Sequence, residues 1–164
     1  MAKTKIQKTL LVGLGGTGNL ALKYAKKRFH EMYGKGESFD EFNLPLIEYL
    51  AFDTDLGDLK KGVDNTSGYL KDSEYHHLKV SKPSQVLKST PYIEKEWMPK
   101  RNIEVLTAIE AGAGQIRAFG RFGLMNQYNQ VKDLIQDMVE RLNSWRQGQN
   151  DDYEAMGDGV NIVY

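Results

Sequence analysis

The sequence predicts an α/β fold in which parallel strands alternate with helices. Two mainly apolar runs, Leu10–Val12 and Ile47–Phe52, the second with Glu48 in it, fit buried strands, and each stops abruptly, the first at glycines and the second at Asp53. Residues with helical spacing follow both runs. This alternation favours a parallel sheet covered by helices. The 164 residues show no internal repeat and no domain boundary, so we expect one domain over 1–164.

The elements can be assigned in chain order. The strands are Lys8–Val12, Ile47–Phe52, His76–Val80 and Val160–Tyr164. The helices are Thr17 to about Met32, Leu56–Lys60 and Arg117 to about Trp145. The segment Ile103–Ile109 fits either a helix or a strand. Gly34–Asn43 and Gly62–Ser73 are polar and contain glycine, as is typical of loops, and we expect the acidic Gln147–Gly159 to be solvated and mobile.

Several charged and aromatic residues have a structural interpretation. In the first helix, Lys23, Lys26, Lys27 and Arg28 mostly share one side, which we interpret as a solvated face because it starts more than a turn beyond the glycines. The adjacent His76 and His77 point to opposite faces of a strand and cannot easily share a metal, so we expect surface or strand-edge residues. We expect Trp97 to be a packing anchor rather than a ligand platform.

Composition excludes several classes of function. Lys and Arg balance Asp and Glu at 22 each, so no net charge points to nucleic acid or to an acidic membrane surface. The chain has no cysteine, which excludes disulfides, thiolate metal sites and a cysteine nucleophile and suits a reducing cytosol. The apolar run behind the basic Met1–Lys5 is too short for a signal peptide, and no run approaches the roughly 20 residues of a membrane helix. We therefore expect a cytoplasmic protein.

The stretch Gly13–Asn19 has the strand–glycine–helix pattern of a phosphate-binding loop. Glycines let the backbone approach an anion, and the N–H groups at the start of the following helix then face that anion. The spacing Gly13-x-Gly15-x-x-Gly18 also fits the dinucleotide-binding fingerprint. The structural alternative is a tight turn with close packing between helix and strand.

Two further segments are expected near that loop. Asp53, Thr54 and Asp55 follow the second strand, and parallel sheets bind their ligands at the carboxyl ends of strands. The alternative role for these residues, which is compatible with ligand contact, is to cap the helix Leu56–Lys60. A second glycine turn runs from Gly112 to Arg121.

Together these three segments resemble the nucleotide loops of the tubulin/FtsZ family. Gly13–Asn19 is similar to the first loop, including its closing asparagine, and Ala51–Asp55 is similar to the second. The segment from Gly112 to Arg121 resembles the third, which begins with glycine-alanine-glycine and closes with glycine-arginine at the same separation. The residues within it, Gln115 and Arg117 among them, are closer to bacterial tubulin-like proteins.

The resemblance implies a site for GTP and Mg²⁺. Residues of the first loop would wrap the phosphates, and Asn19 would face the base or sugar. Asp53 and Asp55 would lie near the phosphates and could hold Mg²⁺ through water. The third loop would close over the terminal phosphate, with the two arginines supplying positive charge. The predicted binding residues are Gly13, Gly15, Gly16, Thr17, Gly18, Asn19, Asp53, Thr54, Asp55, Gly112, Ala113, Gly114, Gln115, Arg117 and Arg121, with Asp55 as the metal ligand and no catalytic residue.

The resemblance also implies a Rossmann-like three-layer parallel sheet with strand order 3-2-1-4, truncated after the fourth strand. Family members carry a glycine-rich signature directly after that strand, where this chain ends at Tyr164. We therefore expect 1–164 to be the N-terminal part of a tubulin-like nucleotide-binding domain. The full-length protein would be a GTPase that can form filaments, whereas this segment alone would be inactive. Asp53 replaces the family's asparagine, and Ala118 stands where a glutamate contacts ribose, which leaves the base identity open.

Two other functions are compatible with the same residues. A dinucleotide-binding domain for NAD or FAD would explain Gly13-x-Gly15-x-x-Gly18, but its ribose-binding acid should follow about 20 residues on, and Asp53 lies much further along. A non-catalytic assembly module could also use this fold. Because the apolar Val160–Tyr164 would leave an open edge of the sheet, we expect self-association.

Overall fold

A computed structural model describes residues 3–64, 68–89, 97–104, 112–114, 116–146 and 152–164. The main sheet has four parallel strands in the order β4-β3-β2-β6. These strands are β2 (Thr9–Leu14), β3 (Ile47–Asp53), β4 (Tyr75–His77) and β6 (Asn161–Val163). In β2, Thr9 pairs with Ile47 of β3 on one side and with Asn161 of β6 on the other. The predicted order 3-2-1-4 is therefore confirmed.

A second, two-stranded sheet was not expected from the sequence. Strand β1 (Thr4–Ile6) pairs in parallel with β5 (Tyr153–Ala155). Tyr153 is buried, and its ring packs edge-on against the ring of Tyr33 with centroids 6.5 Å apart. The expectation that Gln147–Gly159 is a solvated, mobile connection is thus wrong for the part from Tyr153 to Ala155, while 147–151 lie outside the described residues. One aromatic anchor and a three-residue ladder order this segment despite its acidic composition.

Helices join and cover the strands. They are α1 (Gly15–Tyr33), α2 (Leu56–Lys60), α3 (Pro83–Ser89), α4 (Lys100–Glu104), α5 (Arg117–Asn126) and α6 (Tyr128–Ser144). The continuous helix predicted from Arg117 to about Trp145 is interrupted at Gln127, whose φ of −113° and ψ of 22° are not helical. The side chain of Gln127 hydrogen-bonds His76 and the carbonyl of Lys79, which ties the break to the end of β4. Of the segment Ile103–Ile109, the structure describes only the start, which belongs to α4.

The core lies on both faces of the main sheet, as a three-layer fold requires. Along β3, Tyr49 and Ala51 pack with Leu22 of α1, whereas Leu50 and Phe52 pack with residues of α6. Successive side chains of a strand point to opposite faces, so this alternation places α1 on one side and α6 on the other. A third cluster joins α3 and α5 through Val80, Leu87, Met98, Phe119 and Phe122.

The basic side of α1 is not the solvated face expected from its composition. Lys26 is 1% exposed and forms an ion pair with Glu74, and Lys23 is buried with its ammonium group donating to the carbonyls of Asp58 and Lys61. Burial lowers the pKa of both lysines. Their long aliphatic stems let them cross the apolar layer and reach these acceptors. Only Lys27 and Arg28 agree with the solvated interpretation.

The two histidines occupy the edge strand, as predicted. Strand β4 begins one residue earlier than expected and ends at His77 rather than Val80. His76 contacts Gln127, with the ring nitrogen 2.5 Å from Oε1, and His77 bonds the carbonyl of Thr54 at 3.0 Å.

None of the described helices combines the length and the apolar composition that a bilayer span requires.

Candidate functional site

A cleft of about 1080 Å³ lies where β2 and β3 end, and segments distant in sequence meet in it. Most of the predicted binding residues line it. These are Gly15, Gly16, Thr17, Asp53, Thr54, Asp55, Gly112, Ala113, Gly114, Arg117 and Arg121. Gln115 lies outside the described residues. The carboxyl ends of parallel strands are where this class of sheet forms ligand sites, and the cleft occupies that position.

The first loop presents a helix N-terminus to the cleft. Helix α1 begins at Gly15, directly after β2, and the left-handed φ of 67° at this residue makes the turn possible without a Cβ penalty. The N-cap residue Leu14 forms no side-chain cap hydrogen bond, and the first turn of the helix contains no acidic residue. The backbone N–H groups at this end, and the positive end of the helix dipole, are therefore available to an anion.

Gly13 and Gly18 have a packing role instead. A Cβ on Gly13 would lie 2.8 Å from Oδ1 of Asn19, and one on Gly18 would lie 3.3 Å from the backbone carbon of Gly13. Neither glycine lines the cleft, so the close-packing alternative holds for these two positions. The predicted binding loop thus divides into glycines that bring α1 against β2 and residues from Gly15 to Thr17 that face the cleft.

Asn19 does not line the cleft either. It is buried, and its Nδ2 donates to Oδ2 of Asp53 at 3.0 Å. Its Oδ1 has no hydrogen-bond partner among the described residues. The structure thus places Asn19 beneath the second loop, bonded to Asp53, and its contact with a base or sugar stays a prediction.

The second loop combines the two roles that the sequence left open. Asp55 caps α2, with Oδ1 accepting from the N–H groups of Gly57 at 2.7 Å and Asp58 at 3.3 Å. Its Oδ2 lies on the side of the third loop, 3.5 Å from the position of a Cβ on Gly112. Asp53 is buried at the end of β3, and its Oδ1 accepts from the N–H of Asp55 at 3.1 Å. Capping and a position in the cleft therefore coexist.

The third loop supplies a second helix N-terminus and two arginines. Gly112 and Gly114 have φ values of 104° and 56°, which other residues rarely adopt. Helix α5 follows, and its N-cap residue Ile116 forms no side-chain cap hydrogen bond. Arg117 and Arg121 lie one turn apart on this helix, and both line the cleft. The guanidinium carbon of Arg121 is 4.5 Å from the ring centroid of Trp97.

Sequence reasoning missed a carboxylate and the apolar floor of the cleft. Asp58, in the first turn of α2, lines the cleft opposite Gly16, and its position three residues after Asp55 was the available signal. The apolar floor consists of Leu14, Phe52, Leu78, Ile116 and Leu124. No sequence pattern distinguishes Phe52, Leu78, Ile116 and Leu124 from core residues, because they also pack in the core clusters, whereas Leu14 is an exposed apolar residue. The cleft therefore holds three carboxylates, Asp53, Asp55 and Asp58, and two guanidinium groups.

The donor set fits a hydrated cation rather than a protein-built metal cage. Among the described residues, no group of three or more His, Cys, Asp or Glu side chains could hold a metal ion. Mg²⁺ in phosphate sites commonly takes one or two carboxylates, with the remaining ligands supplied by phosphate and water. Asp55, the predicted metal ligand, has one oxygen engaged in the helix cap and the other on the open side. A carboxylate in this arrangement fits a contact with Mg²⁺ through a bridging water molecule.

A second, smaller cavity of about 610 Å³ lies at the helix break, where His77, Lys79, Lys82 and Gln127 line it. It contains none of the predicted loops. His77, which lines this cavity, hydrogen-bonds the carbonyl of Thr54, which lines the cleft.

Comparison with known proteins identifies one family. A family model described as "Tubulin like" matches residues 10–163, a range that includes all three loops of the cleft. No curated protein and no solved structure matches the chain.

Proposed function

The chain belongs to the tubulin-like family, and from this we propose that the cleft binds a nucleoside triphosphate, GTP in the first place, together with Mg²⁺. One observation carries the proposal: the predicted loops meet in a single cleft. The N-termini of α1 and α5 lie in it, their N-cap residues Leu14 and Ile116 form no side-chain cap hydrogen bond, and helix N-termini of this kind favour an anion. Two arginines on the same wall add bidentate donors that suit phosphate oxygens.

The carboxylates explain why a cation belongs to the proposal. Asp53, Asp55 and Asp58 would repel a polyphosphate that entered the cleft alone, since like charges in a partly buried site are costly. A Mg²⁺ ion between phosphate oxygens and the Asp55 carboxylate would replace that repulsion by attraction. Binding should accordingly depend on Mg²⁺.

Titration calorimetry with GTP, ATP and NAD, each with and without Mg²⁺, tests the proposal. GTP should bind more tightly than NAD. The variant Gly16→Val should weaken GTP binding by about tenfold or more, because valine blocks the approach of phosphate to the backbone. Gly16 does not have a left-handed φ, and a Cβ there would meet only Oδ2 of Asp58 at 3.2 Å, so the fold should tolerate the change.

The matched control is Gly159→Val, because a Cβ at that exposed position has no neighbour within 4 Å. It should leave GTP binding unchanged. Tighter binding of NAD than of GTP would overturn the proposal and favour a dinucleotide-binding domain.

A further inference from the structure

The contact between Arg121 and Trp97 joins the cleft to a part of the chain outside its loops. Trp97 is half-buried and packs against the cluster of α3 and α5 that contains Met98 and Phe119. Arg121 is exposed on the cleft wall, with its guanidinium carbon 4.5 Å above the indole ring. That distance is within the range in which a cation is attracted to an aromatic face.

Stacking restrains the arginine without using its donors. A free arginine side chain loses rotamer entropy when it is fixed in one position. The guanidinium carbon of Arg121 lies over the Trp97 ring, and such a cation–π contact needs no hydrogen bond from the N–H donors, which point outward in the plane of the group. The edge that would bind an oxyanion therefore remains available. Arg117, one turn earlier, has no such ring contact among the described residues.

We propose that Trp97 is a positioning residue for Arg121, holding the guanidinium group at the cleft so that its edge binds the polyphosphate of the ligand. The inference rests on the proposed function and adds to it a residue that none of the loops contains. It also gives the two arginines different roles. The side chain of Arg121 is held in position before the ligand enters, whereas the side chain of Arg117 is ordered only when the ligand binds.

The competing account is that Trp97 is only a packing anchor. Both accounts predict that losing the ring weakens binding, so a double-mutant cycle is needed. The variants are Trp97→Leu, Arg121→Gln and the two combined, and the probes are GTP with Mg²⁺ and inorganic tripolyphosphate. Trp97→Leu should weaken binding of both probes by about three- to fivefold in the wild-type background and have no effect beside Arg121→Gln.

Two further variants sharpen the result. Trp97→Phe keeps an aromatic face and should keep most of the affinity. Trp145→Leu makes the same substitution at the chain's other tryptophan, which packs against a different core cluster, and should leave the affinity unchanged. An equal loss from Trp97→Leu with and without Arg121 would overturn the inference while leaving the proposed function standing. Failure of the wild-type chain to bind either probe would overturn both.

The stacking itself can be measured without a ligand. The side-chain N–H resonance of Arg121 should be shifted by the indole ring current, and the shift should vanish in Trp97→Leu and persist in part in Trp97→Phe. A resonance that is the same in all these variants would also overturn the inference.

Discussion

Asn19 and Asp53 are hydrogen-bonded over 3.0 Å, with the amide Nδ2 as donor and the carboxylate Oδ2 as acceptor. Asn19 lies one turn into α1 and Asp53 ends β3, so the bond joins the first loop of the cleft to the second. The other oxygen of Asp53 accepts from the N–H of Asp55. The position of the helix-capping Asp55 is therefore set through a buried chain of contacts that starts at Asn19.

Replacing this amide by a carboxylate should make stability depend on pH. In Asn19→Asp two buried carboxyl groups would face each other, and such a pair cannot easily ionise twice, so one of them titrates above its unfolded value. The folded variant then binds more protons than the unfolded chain at intermediate pH. Relative to wild type, stability is retained at about pH 4 and falls by at least about 2 kcal/mol as the pH rises to about 8.

Urea unfolding across that pH range measures the effect. The double variant Asn19→Asp with Asp53→Asn restores one amide facing one carboxylate and should recover most of the loss. A loss that is the same at every pH would show that repulsion between the two carboxyl groups is not its cause.

Gly123 should be intolerant of even a methyl group. A Cβ there would lie 2.9 Å from the backbone oxygen of Leu78 and 3.2 Å from Cγ2 of Thr54. Helix propensity alone favours alanine over glycine by up to about 1 kcal/mol, but a clash with backbone atoms costs about 1–3 kcal/mol and should prevail. Gly123→Ala should therefore lower the free energy of unfolding.

Gly120 provides the control for this prediction within the same helix. A Cβ on Gly120 would have no neighbour within 4 Å among the residues that the structure describes, so Gly120→Ala should be neutral or stabilising. Thermal unfolding of Gly123→Ala and Gly120→Ala measures the difference in stability. Equal stability of the two variants would contradict the packing of α5 against Thr54.

The buried ion pair of Lys26 and Glu74 should be costly to break from one side only. Lys26→Met leaves the carboxylate of Glu74 buried without its cation, and the loss should be about 3–5 kcal/mol. Adding Glu74→Gln removes the unpaired charge and should recover much of it. Lys27→Met, which breaks the exposed pair with Asp64, should have a much smaller effect.

Lys26 should also make the free energy of unfolding depend on pH. Burial lowers the pKa of Lys26, so between that lowered value and 10.5 the unfolded chain binds more protons than the folded one. Below this pH range, the contribution of Lys26 to the free energy of unfolding is least favourable. That contribution becomes more favourable as the pH rises through the range. Lys26→Met should remove this part of the pH slope, measured by chemical unfolding in alkaline buffers. An unchanged slope would mean that Lys26 is not buried as a cation.

The free edge of the main sheet should support self-association. In the described part of the chain, β6 pairs with β2 alone, and Ile162 and Val163 are 47% and 52% exposed. An apolar, unpaired edge favours pairing with a second copy. Sedimentation equilibrium at micromolar concentration should show dimers or larger species, which Ile162→Lys reduces. Met156→Lys, at a residue 50% exposed away from this edge, is the control. A folded wild-type monomer would contradict the prediction.

The sequence contained enough to predict the main sheet and most of the cleft. Leu10–Val12 is a continuous apolar run, Ile47–Phe52 is interrupted only by Glu48, and the order of the strands followed from the family resemblance. Gly15, with its left-handed φ, marks a turn that few other residues could make. These features are local, and local patterns are what a sequence displays most directly.

The rest depends on contacts between distant residues. Lys26 pairs with Glu74 across 48 positions, so its burial could not be inferred from the charge pattern of α1. Strands β1 and β5 are three residues each and show no alternation that could distinguish them from loops. The predicted ligand contact of Asn19 came from its place in the motif, and its bond to Asp53 became visible only once α1 and β3 were packed together.

The central claim, that a nucleoside triphosphate binds between the first and third loops, is tested most directly by nuclear magnetic resonance. The ¹⁵N-labelled chain would be titrated with GTP and Mg²⁺, and in parallel with NAD. The account predicts that GTP produces the largest shifts in the backbone amides of Gly15–Thr17 and Gly112–Gly114, and that NAD produces smaller ones. Shifts centred instead on the second cavity, near Lys79 and Gln127, or a response to NAD alone, would contradict it.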